Sequence, residues 1–388
     1  MRIGRRQLVV LGALVLAAAC GAPGGSQSGL GQPETVAPGV EFYKTNDTSL
    51  VASAGPVTVY LLKLDPARIQ LASVLSNDKV VDAEPVNSIA ARHGAVAAVN
   101  GGFFNRNNGE PVSLLKVSGR LVSDAGSPKG VVIIRSPAIG RTEIAFDQLA
   151  VRLTMTFRAG DEQIVVPIDG VDTTRERGKL MLYTPAYHVD TDTAPAGTEW
   201  VLDGDPLRVI AMRSNLGHTP IPPKGFVLSF GGVNPPEPIA QLDEGVAVTF
   251  DSHWKSTFGI AAADLDRADH IVNGAGLLRR SGVPLTNWSV ESLNRESFVD
   301  YRHPRTIVGV DADGFIWLGV VDGRQSESIG MSFADLQRLC DRLNLKDALN
   351  LDGGGSTTMV VKGRVVNRPS DAIGPRPVSD ALLVTSRQ

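Results

Sequence analysis

A carboxylate and an amide lie beside a glycine-rich loop near the C-terminus of the chain. The apolar segment 348–351 carries Asn350, and Asp352 follows it directly. The loop then continues with five small residues: Gly353, Gly354, Gly355, Ser356 and Thr357. Three successive glycines can expose backbone N–H groups, and a concave set of such groups suits an oxyanion or a phosphate oxygen. The alternative is a plain turn in which Asp352 caps its own loop.

A second group of charged residues lies at the open end of a predicted β-hairpin. His303 and Arg305 begin one strand, and Asp322 follows the return strand. If Val310 pairs with Phe315, His303 lies opposite Asp322 and Arg305 lies beside them. This hairpin would gather an imidazole, a cation and a carboxylate. An ordinary surface ion pair is the common alternative.

A third group ends an apolar segment in the first third of the chain. Asn100 and Gly101 close the strand and are followed by a second glycine and two phenylalanines. Asn and Gly tolerate positive φ, so a tight turn is the alternative to a binding role. The sequence has neither a P-loop nor a G-x-S-x-G or H-E-x-x-H motif. Its six histidines are scattered, so we expect no metal site and no cofactor.

Short apolar segments between turn signals must position these side chains. Strands are predicted at 57–62, 131–134, 144–157 with a break, 225–230, 306–310, 315–321 and 358–361. A helix at 332–343 begins at Ser332, with Asp335 in the capping-box position and Cys340 on its apolar face. A shorter helix covers 85–92. The predicted fold class is α+β, a strand-rich mixed sheet with a few flanking helices.

The N-terminus has the pattern of an export signal. A basic start with Arg2, Arg5 and Arg6 precedes an apolar segment too short to span a bilayer. We therefore predict a signal peptide at 1–19, with Cys20 lipidated and 20–39 a flexible linker. Cleavage without lipidation is the alternative, and the two adjacent arginines leave Sec and twin-arginine export open.

The remainder, 40–388, is predicted to be the catalytic domain. Residues 136–250 are either a sub-lobe or an elaboration of the same sheet. The chain has 38 Lys and Arg against 41 Asp and Glu, a net charge of −3. Removing the three signal arginines makes the net charge −6. The sequence also has no cluster of basic residues, so we expect no binding to nucleic acid.

Six short motifs, taken together and in order, resemble one family. They are VNGGFF, the glycine-rich segment 273–278, RHPRT, VVDGRQ, NLDGGGSTT, and VNRPSD with a following RPVS. This set resembles the phosphodiester glycosidase family over about 85–388, with a weak middle. The resemblance implies hydrolysis of a sugar-1-phosphodiester, with a carbohydrate or phosphoglycan substrate in the cell envelope or outside it.

Sugar C–O cleavage generally uses two carboxylates, which we assign to Asp352 and Asp322. Arg305 would hold the phosphate with the Gly353–Gly355 amides, because guanidinium can hold two oxygens at once. His303 would support Asp322 or the phosphate. Asn100 and Asn350 would hold sugar hydroxyls or orient a carboxylate. Trp288 would stack on a sugar ring, or instead pack the base of the hairpin.

Two other functions are compatible with the same motifs. The protein could be a phosphoglycan-binding lipoprotein without activity, or a phosphodiesterase that cleaves the P–O bond. A binding protein would need no such set of carboxylates, so the sequence favours an enzyme. Six of the predicted residues are expected to converge in one pocket: Asn100, His303, Arg305, Asp322, Asn350 and Asp352.

Overall fold

The computed structural model describes residues 30–51 and 55–387. Most of its elements are short strands, and several of them are followed directly by glycine, proline or aspartate, as a turn-rich sequence predicts. The strands are β1 (Glu34–Ala37), β2 (Val40–Thr45), β3 (Val59–Leu64), β4 (Ile69–Leu75), β5 (Glu84–Pro85), β6 (Ala97–Asn100), β7 (Leu115–Val117), β8 (Arg120–Ser123), β9 (Ala125–Arg135), β10 (Glu143–Ala159), β11 (Glu162–Pro167), β12 (Gly170–Val171), β13 (Leu180–Tyr183), β14 (Thr198–Asp203), β15 (Arg208–Ser214), β16 (Phe226–Phe230), β17 (Val248–Ser256), β18 (His270–Asn273), β19 (Leu277–Arg280), β20 (Val283–Pro284), β21 (Arg305–Asp311), β22 (Ile316–Val321), β23 (Leu345–Asn350), β24 (Met359–Val361), β25 (Arg364–Val365), β26 (Pro377–Val378) and β27 (Asp380–Ser386).

Helical segments are few in the described residues. The α-helices are α1 (Val86–Arg92), α2 (Ala262–Asp266) and α3 (Phe333–Arg342). A π-helical turn covers Arg295–Asp300, and 3₁₀ turns occur at Thr48–Leu50, Ser76–Asp78, Ile239–Gln241, Ser289–Glu291 and Gly354–Ser356. The prediction of a strand-rich α+β fold is confirmed.

The strands are distributed over several sheets rather than one. An eight-stranded sheet has the order β1-β2-β3-β22-β21-β23-β19-β20, and a second has β11-β10-β9-β18-β7-β8 with β17 beside β10. Two five-stranded sheets have the orders β12-β13-β16-β14-β15 and β25-β24-β6-β27-β4. Among the described strands only β12 and β13 pair in parallel, so one sheet is mixed and the others are antiparallel.

Residues 136–250 share the core of the rest of the chain. Strand β10 pairs with β9, and Met181 and Tyr183 of β13 pack in the same buried cluster as Val132 and Ile134. The predicted break inside 144–157 is a register shift near Leu149, within a single long strand. The stretch therefore packs directly against the neighbouring sheets, while most of its own buried apolar side chains form a second cluster.

The linker prediction of 20–39 requires a correction at its C-terminal end. Glu34–Ala37 form β1, an edge strand paired with β2 across a turn in which Gly39 has a φ of +78°. Glu34 and Thr35 are exposed, whereas Val36 and Ala37 pack half-buried against the core, so backbone pairing and this apolar contact together hold the strand in place. Cys20 and the predicted signal lie outside the described residues.

Helix α3 confirms the prediction at its N-terminus. The Ser332 side chain and Asp335 form a complete capping box, and both N-terminal donors are thereby satisfied. Cys340 is a fully buried free thiol, and burial raises its pKa to about 12. Within the described residues, no helix has the length and hydrophobicity needed to cross a membrane.

Candidate active site

The end of β6 joins two sheets at the point where the glycine loop begins. The Asn100 amide nitrogen donates to the Asp352 carbonyl at 2.7 Å, and its oxygen accepts from the Thr306 hydroxyl at 2.7 Å and the Thr358 N–H at 3.2 Å. Asn100 is completely buried. All of these hydrogen bonds are made within the protein, and the bond to the Asp352 carbonyl fixes the backbone that carries the Asp352 side chain.

Backbone pairing brings the glycine loop beside the start of β21. The Leu351 N–H donates to the Thr306 carbonyl at 2.8 Å, and the Gly354 N–H donates to the Pro304 carbonyl at 2.9 Å. A Cβ at position 353 would lie 2.7 Å from the Pro304 carbonyl oxygen, so this approach requires glycine. Residues 303–305 and 352–355 therefore lie together at the ends of two neighbouring interior strands, β21 and β23, although they are distant in sequence.

Asp352 lies in a cleft of about 340 Å³. Burial raises the pKa of its carboxyl to about 6, even though one carboxylate oxygen accepts from the Gly353 N–H at 2.8 Å. The cleft is lined by Arg106, Ser297, Phe298, His303, Pro304, Arg305, Arg324, Asp352, Gly353, Gly354, Gly355 and Arg376. It thus contains three of the four predicted catalytic residues.

Arg305 is a buried cation without a carboxylate partner. Its exposed fraction is 1%, and its guanidinium donates to the carbonyls of Met331, Phe298 and Tyr301. The guanidinium carbon lies 5.0 Å from the centre of the Phe298 ring and 4.9 Å from that of Phe333. Burial, and secondarily Arg324, lowers its pKa to about 9. The Nη1 group has no hydrogen-bond partner among the described residues.

His303 supports a second arginine of the cleft. Its Nε2 is 2.9 Å from the Ser297 carbonyl, and its Nδ1 is 3.2 Å from a terminal nitrogen of Arg324. A carbonyl can only accept and a guanidinium can only donate, so His303 is neutral with its proton on Nε2. Burial and the two nearby arginines also lower its pKa. Both ring nitrogens are occupied, and the imidazole holds Arg324.

Three cationic residues of the cleft are absent from the sequence-based site. Arg376 forms a bidentate pair with Asp371 at 2.8 and 3.0 Å, whereas Arg106 and Arg324 have no carboxylate partner among the described residues. Asp352 is the single acid among the residues that line the cleft. The sequence could have indicated these three arginines. Arg324 lies in the VVDGRQ motif and Arg376 in RPVS, and Arg106 lies two residues beyond VNGGFF.

Asp322 lies apart from the cleft lining. The hairpin pairs Val310 with Ile316 and Arg305 with Val321, so the expected pairing of Val310 with Phe315 is wrong by one residue. Because side chains alternate between faces, Asp322 and Arg305 point to opposite faces of the sheet. The Asp322 carboxylate accepts from the Asn367 amide at 3.1 Å and the Arg368 N–H at 3.0 Å. Burial raises its pKa.

The loop amides do not form the open anion nest that the sequence predicts. The Gly353 N–H is bound to the Asp352 carboxylate, and the Gly354 N–H is bound to Pro304. The glycines line the cleft, but those two N–H groups are used within the protein. Positive charge in the cleft therefore comes from arginine side chains.

The remaining predicted substrate-binding residues lie around the cleft rather than in its lining. Gly101 and Asn350 are buried, and the Asn350 amide donates to the carbonyls of Ala275 and Leu351. Ser356 and Thr357 are buried at the end of the loop. Trp288 lines a separate cavity, where its ring packs edge-on against Phe333 at 4.9 Å and its N–H donates to the Leu277 carbonyl.

The family model for phosphodiester glycosidases matches residues 197–385, which include Arg305, Arg324, Asp352 and Arg376. This part of the chain belongs to the phosphodiester glycosidase family. A segment of 93 residues is 38% identical to mouse (Mus musculus) N-acetylglucosamine-1-phosphodiester alpha-N-acetylglucosaminidase. The match covers 22% of this chain and 18% of the mouse protein, so the chain spans less than a fifth of that relative.

Two solved structures share the fold over nearly the whole chain. A hypothetical protein from Synechocystis superposes with a TM-score of 0.76 over 92% of this chain and 64% of its own, at 21% identity. A protein of Burkholderia pseudomallei K96243, whose name assigns it to the exported proteins, gives a TM-score of 0.70. That match is 27% identical and covers 87% of this chain and 75% of the other. Both likenesses in fold thus extend beyond the 197–385 match.

Proposed function

We propose that the protein is a hydrolase that cleaves a sugar-1-phosphodiester in the cleft around Asp352. The observation that carries this proposal is a carboxyl group inside a small cleft whose other charged lining residues are all arginines. A phosphodiester brings one negative charge on oxygens that a planar guanidinium can bind two at a time. The mouse relative carries the name of an enzyme for such a diester.

The charge balance of the cleft supports an anionic substrate. Asp371 offsets Arg376, which leaves Arg106, Arg305 and Arg324 against Asp352 alone. Arg305 is the most costly of these cations, because a buried charge without a counter-ion loses its hydration. A phosphate oxygen at its Nη1 would supply the missing partner. Arg324, held by His303, would bind the same group from the glycine-loop side.

Asp352 is proposed to act in its ionised form, as a nucleophile or as the base that activates water. A phosphate leaving group carries its own charge and needs little protonation. A single carboxylate is therefore enough for the reaction, without a second one as proton donor. Asp322 has no place in this scheme, because its oxygens are bound to Asn367 and Arg368 on the other face of the hairpin. The two-carboxylate assignment is therefore replaced by one carboxylate and an arginine-bound leaving group.

The test is hydrolysis of a panel of sugar-1-phosphodiesters by the parent chain, Asp352→Asn and Asp322→Asn. We expect Asp352→Asn to lose roughly 10²–10⁴-fold in kcat, as for other catalytic acids and bases. Asp322→Asn should keep kcat within a few-fold if its melting temperature is unchanged. Equal losses in both variants, without loss of fold, would contradict the one-carboxylate scheme.

Running the reaction in oxygen-18 water separates the two kinds of hydrolase. Label in the sugar means C–O cleavage, and label in the phosphate means P–O cleavage. A parent chain that binds the diesters but turns none of them over would instead be a phosphoglycan-binding protein.

We further propose that the protein acts outside the cytoplasm, tethered to the membrane surface through Cys20. The basic and apolar start of the sequence supports export, as does the name of the Burkholderia protein. The substrate is then a carbohydrate or phosphoglycan of the cell envelope or its surroundings.

A further inference from the structure

Three metal-ligand side chains meet on the surface of the 136–250 stretch, away from the cleft lining, and the imidazole of His188 lies beside one of them. Asp190, Asp192 and His218 place carboxylate oxygens and a ring nitrogen within 4.8 Å of one another. The Nδ1 atoms of His218 and His188 lie 3.7 and 3.9 Å from the same Asp190 oxygen. These distances are too long for hydrogen bonds. Neither imidazole has another hydrogen-bond partner among the described residues.

A local turn brings Asp190 and Asp192 together. The Asp192 N–H donates to an Asp190 carboxylate oxygen at 2.8 Å, and Asp192 has a φ of +46°. Thr191 and Thr193 are buried, and the Thr193 hydroxyl donates to the fully buried Glu199 carboxylate at 2.9 Å.

A backbone ladder holds the second segment against the first. The Thr191 N–H donates to the Thr219 carbonyl at 3.0 Å, and the His218 N–H donates to the Thr193 carbonyl at 3.1 Å. The Thr219 hydroxyl binds the same buried Glu199. These bonds fix the backbones that carry all four side chains, and such support from buried neighbours keeps a metal site in shape.

We infer that His188, Asp190, Asp192 and His218 form a zinc site that clamps the 188–192 segment to residue 218. Ligand atoms of a tetrahedral zinc ion with bonds of about 2.1 Å lie roughly 3.4 Å apart. The separations of 3.7–3.9 Å that join Asp190 to both imidazoles and His218 to Asp192 therefore need only small side-chain rotations, and His188 would turn toward the other three ligands. Two imidazoles with two carboxylates suit zinc, whereas calcium and magnesium take oxygen ligands.

The ion would have a structural role, because all four protein positions are filled and no open position is needed for chemistry. The site is independent of the proposed hydrolase activity, since none of its residues lines the Asp352 cleft. The zinc site would also give a function to part of the 136–250 stretch, in which the sequence shows no catalytic motif.

The test is titration of the metal-free chain with zinc chloride by calorimetry, with thermal melts at matched zinc concentrations. We expect one equivalent to bind and the melting temperature to rise, since a ligand that binds the native state stabilises it. His218→Ala and Asp190→Asn should weaken binding by roughly tenfold or more and remove the rise. His253→Ala is the matched control, because this exposed histidine lies in β17, away from the cluster, and contacts the Thr154 hydroxyl of β10.

Cobalt substitution gives a second measurement that does not depend on stability. Bound cobalt should show the intense visible absorption of a tetrahedral site in the parent and in His253→Ala, and lose it in His218→Ala. No stoichiometric zinc binding by the parent, calcium binding in preference to zinc, or equal binding by the ligand variants would each overturn the inference.

Discussion

At the scale of single residues, Asp352 lines the cleft, and its burial makes the ionised form of its carboxyl less favourable. Its pKa of about 6 follows from loss of water around the carboxylate, opposed by the Gly353 N–H and by the charge of Arg376. A carboxyl shifted to this value changes protonation near neutral pH. This change in the protonation of Asp352 should therefore be visible in the pH dependence of both activity and stability.

We expect kcat/KM to rise about tenfold per pH unit below pH 6 and to level off above it, because the ionised form of Asp352 is the active one. The measurement is a pH–rate profile on a sugar-1-phosphodiester, whose phosphate does not titrate in this range. A profile that instead falls above pH 6 would show that Asp352 works as a proton donor.

The same pKa shift predicts a pH-dependent gain in stability for Asp352→Asn. A folded-state pKa raised above 3.8 means that the native chain loses stability as pH rises from about 4 to 6, and the loss persists above pH 6. Asparagine carries no charge and can still accept from the Gly353 N–H. Its melting temperature should exceed that of the parent by a few degrees at pH 7.5 and match it near pH 4.

Thermal melts of both chains across this pH range measure the difference. A variant that is less stable than the parent at pH 7.5 would mean that the hydrogen bonds of the carboxylate outweigh its burial. Asp322→Asn is a useful companion, because its carboxylate is also buried but accepts from two protein donors.

At the scale of elements, the glycine loop sets where the Arg376–Asp371 pair can lie. A side chain at Gly355 would overlap the Arg376 guanidinium and the Asp371 carboxylate. Glycine at this position is needed for close approach of the pair to the loop, rather than for an unusual backbone angle. The loop thereby places a cation at the rim of the cleft.

Gly355→Ala should displace Arg376 and raise the KM for a phosphodiester roughly tenfold, the equivalent of one charge-assisted hydrogen bond. The effect on kcat should be smaller, since Asp352 and Arg305 keep their own partners. Gly126→Ala is the matched control, because a Cβ there meets no atom within 4 Å. Equal steady-state constants for both variants would remove Arg376 from the substrate-binding site.

At the scale of the whole molecule, four sheets and their shared core support a cleft at the ends of the interior strands β21 and β23. The family model covers the C-terminal part, yet β6 comes from the other side of the chain and fixes Asp352 through Asn100. A fragment limited to 197–385 would lack β6, β9 and β10. The site therefore depends on the elaborated fold as a unit.

The proposed attachment to the membrane is also a property of the whole chain, and Cys20→Ser tests it. We expect the variant to leave the membrane fraction or to remain unprocessed, because the lipid anchor needs the cysteine sulfur. Cell fractionation and intact-mass measurement give the answer, with Cys340→Ser as the control thiol. Unchanged membrane association and mature mass would show that Cys20 is not lipidated.

The sequence by itself determined the local features of this protein. Apolar segments between turn residues predicted strands near their observed positions, and the Ser332 capping box predicted the start of α3. The motifs predicted the family and placed His303, Arg305 and Asp352 in one site. These features depend on neighbours within a few residues, so their physical causes are visible in the chain order.

Only the tertiary structure decided which side chains enter the cleft. A hairpin register that differs by one residue sends Asp322 to the face opposite Arg305, and nothing local in the sequence fixes that register. Asn100 proved to be a tie between two sheets, and Arg106, Arg324 and Arg376 meet although they lie far apart in sequence. Burial, which sets the pKa of Asp352 and leaves Arg305 without a counter-ion, arises from this packing of distant segments.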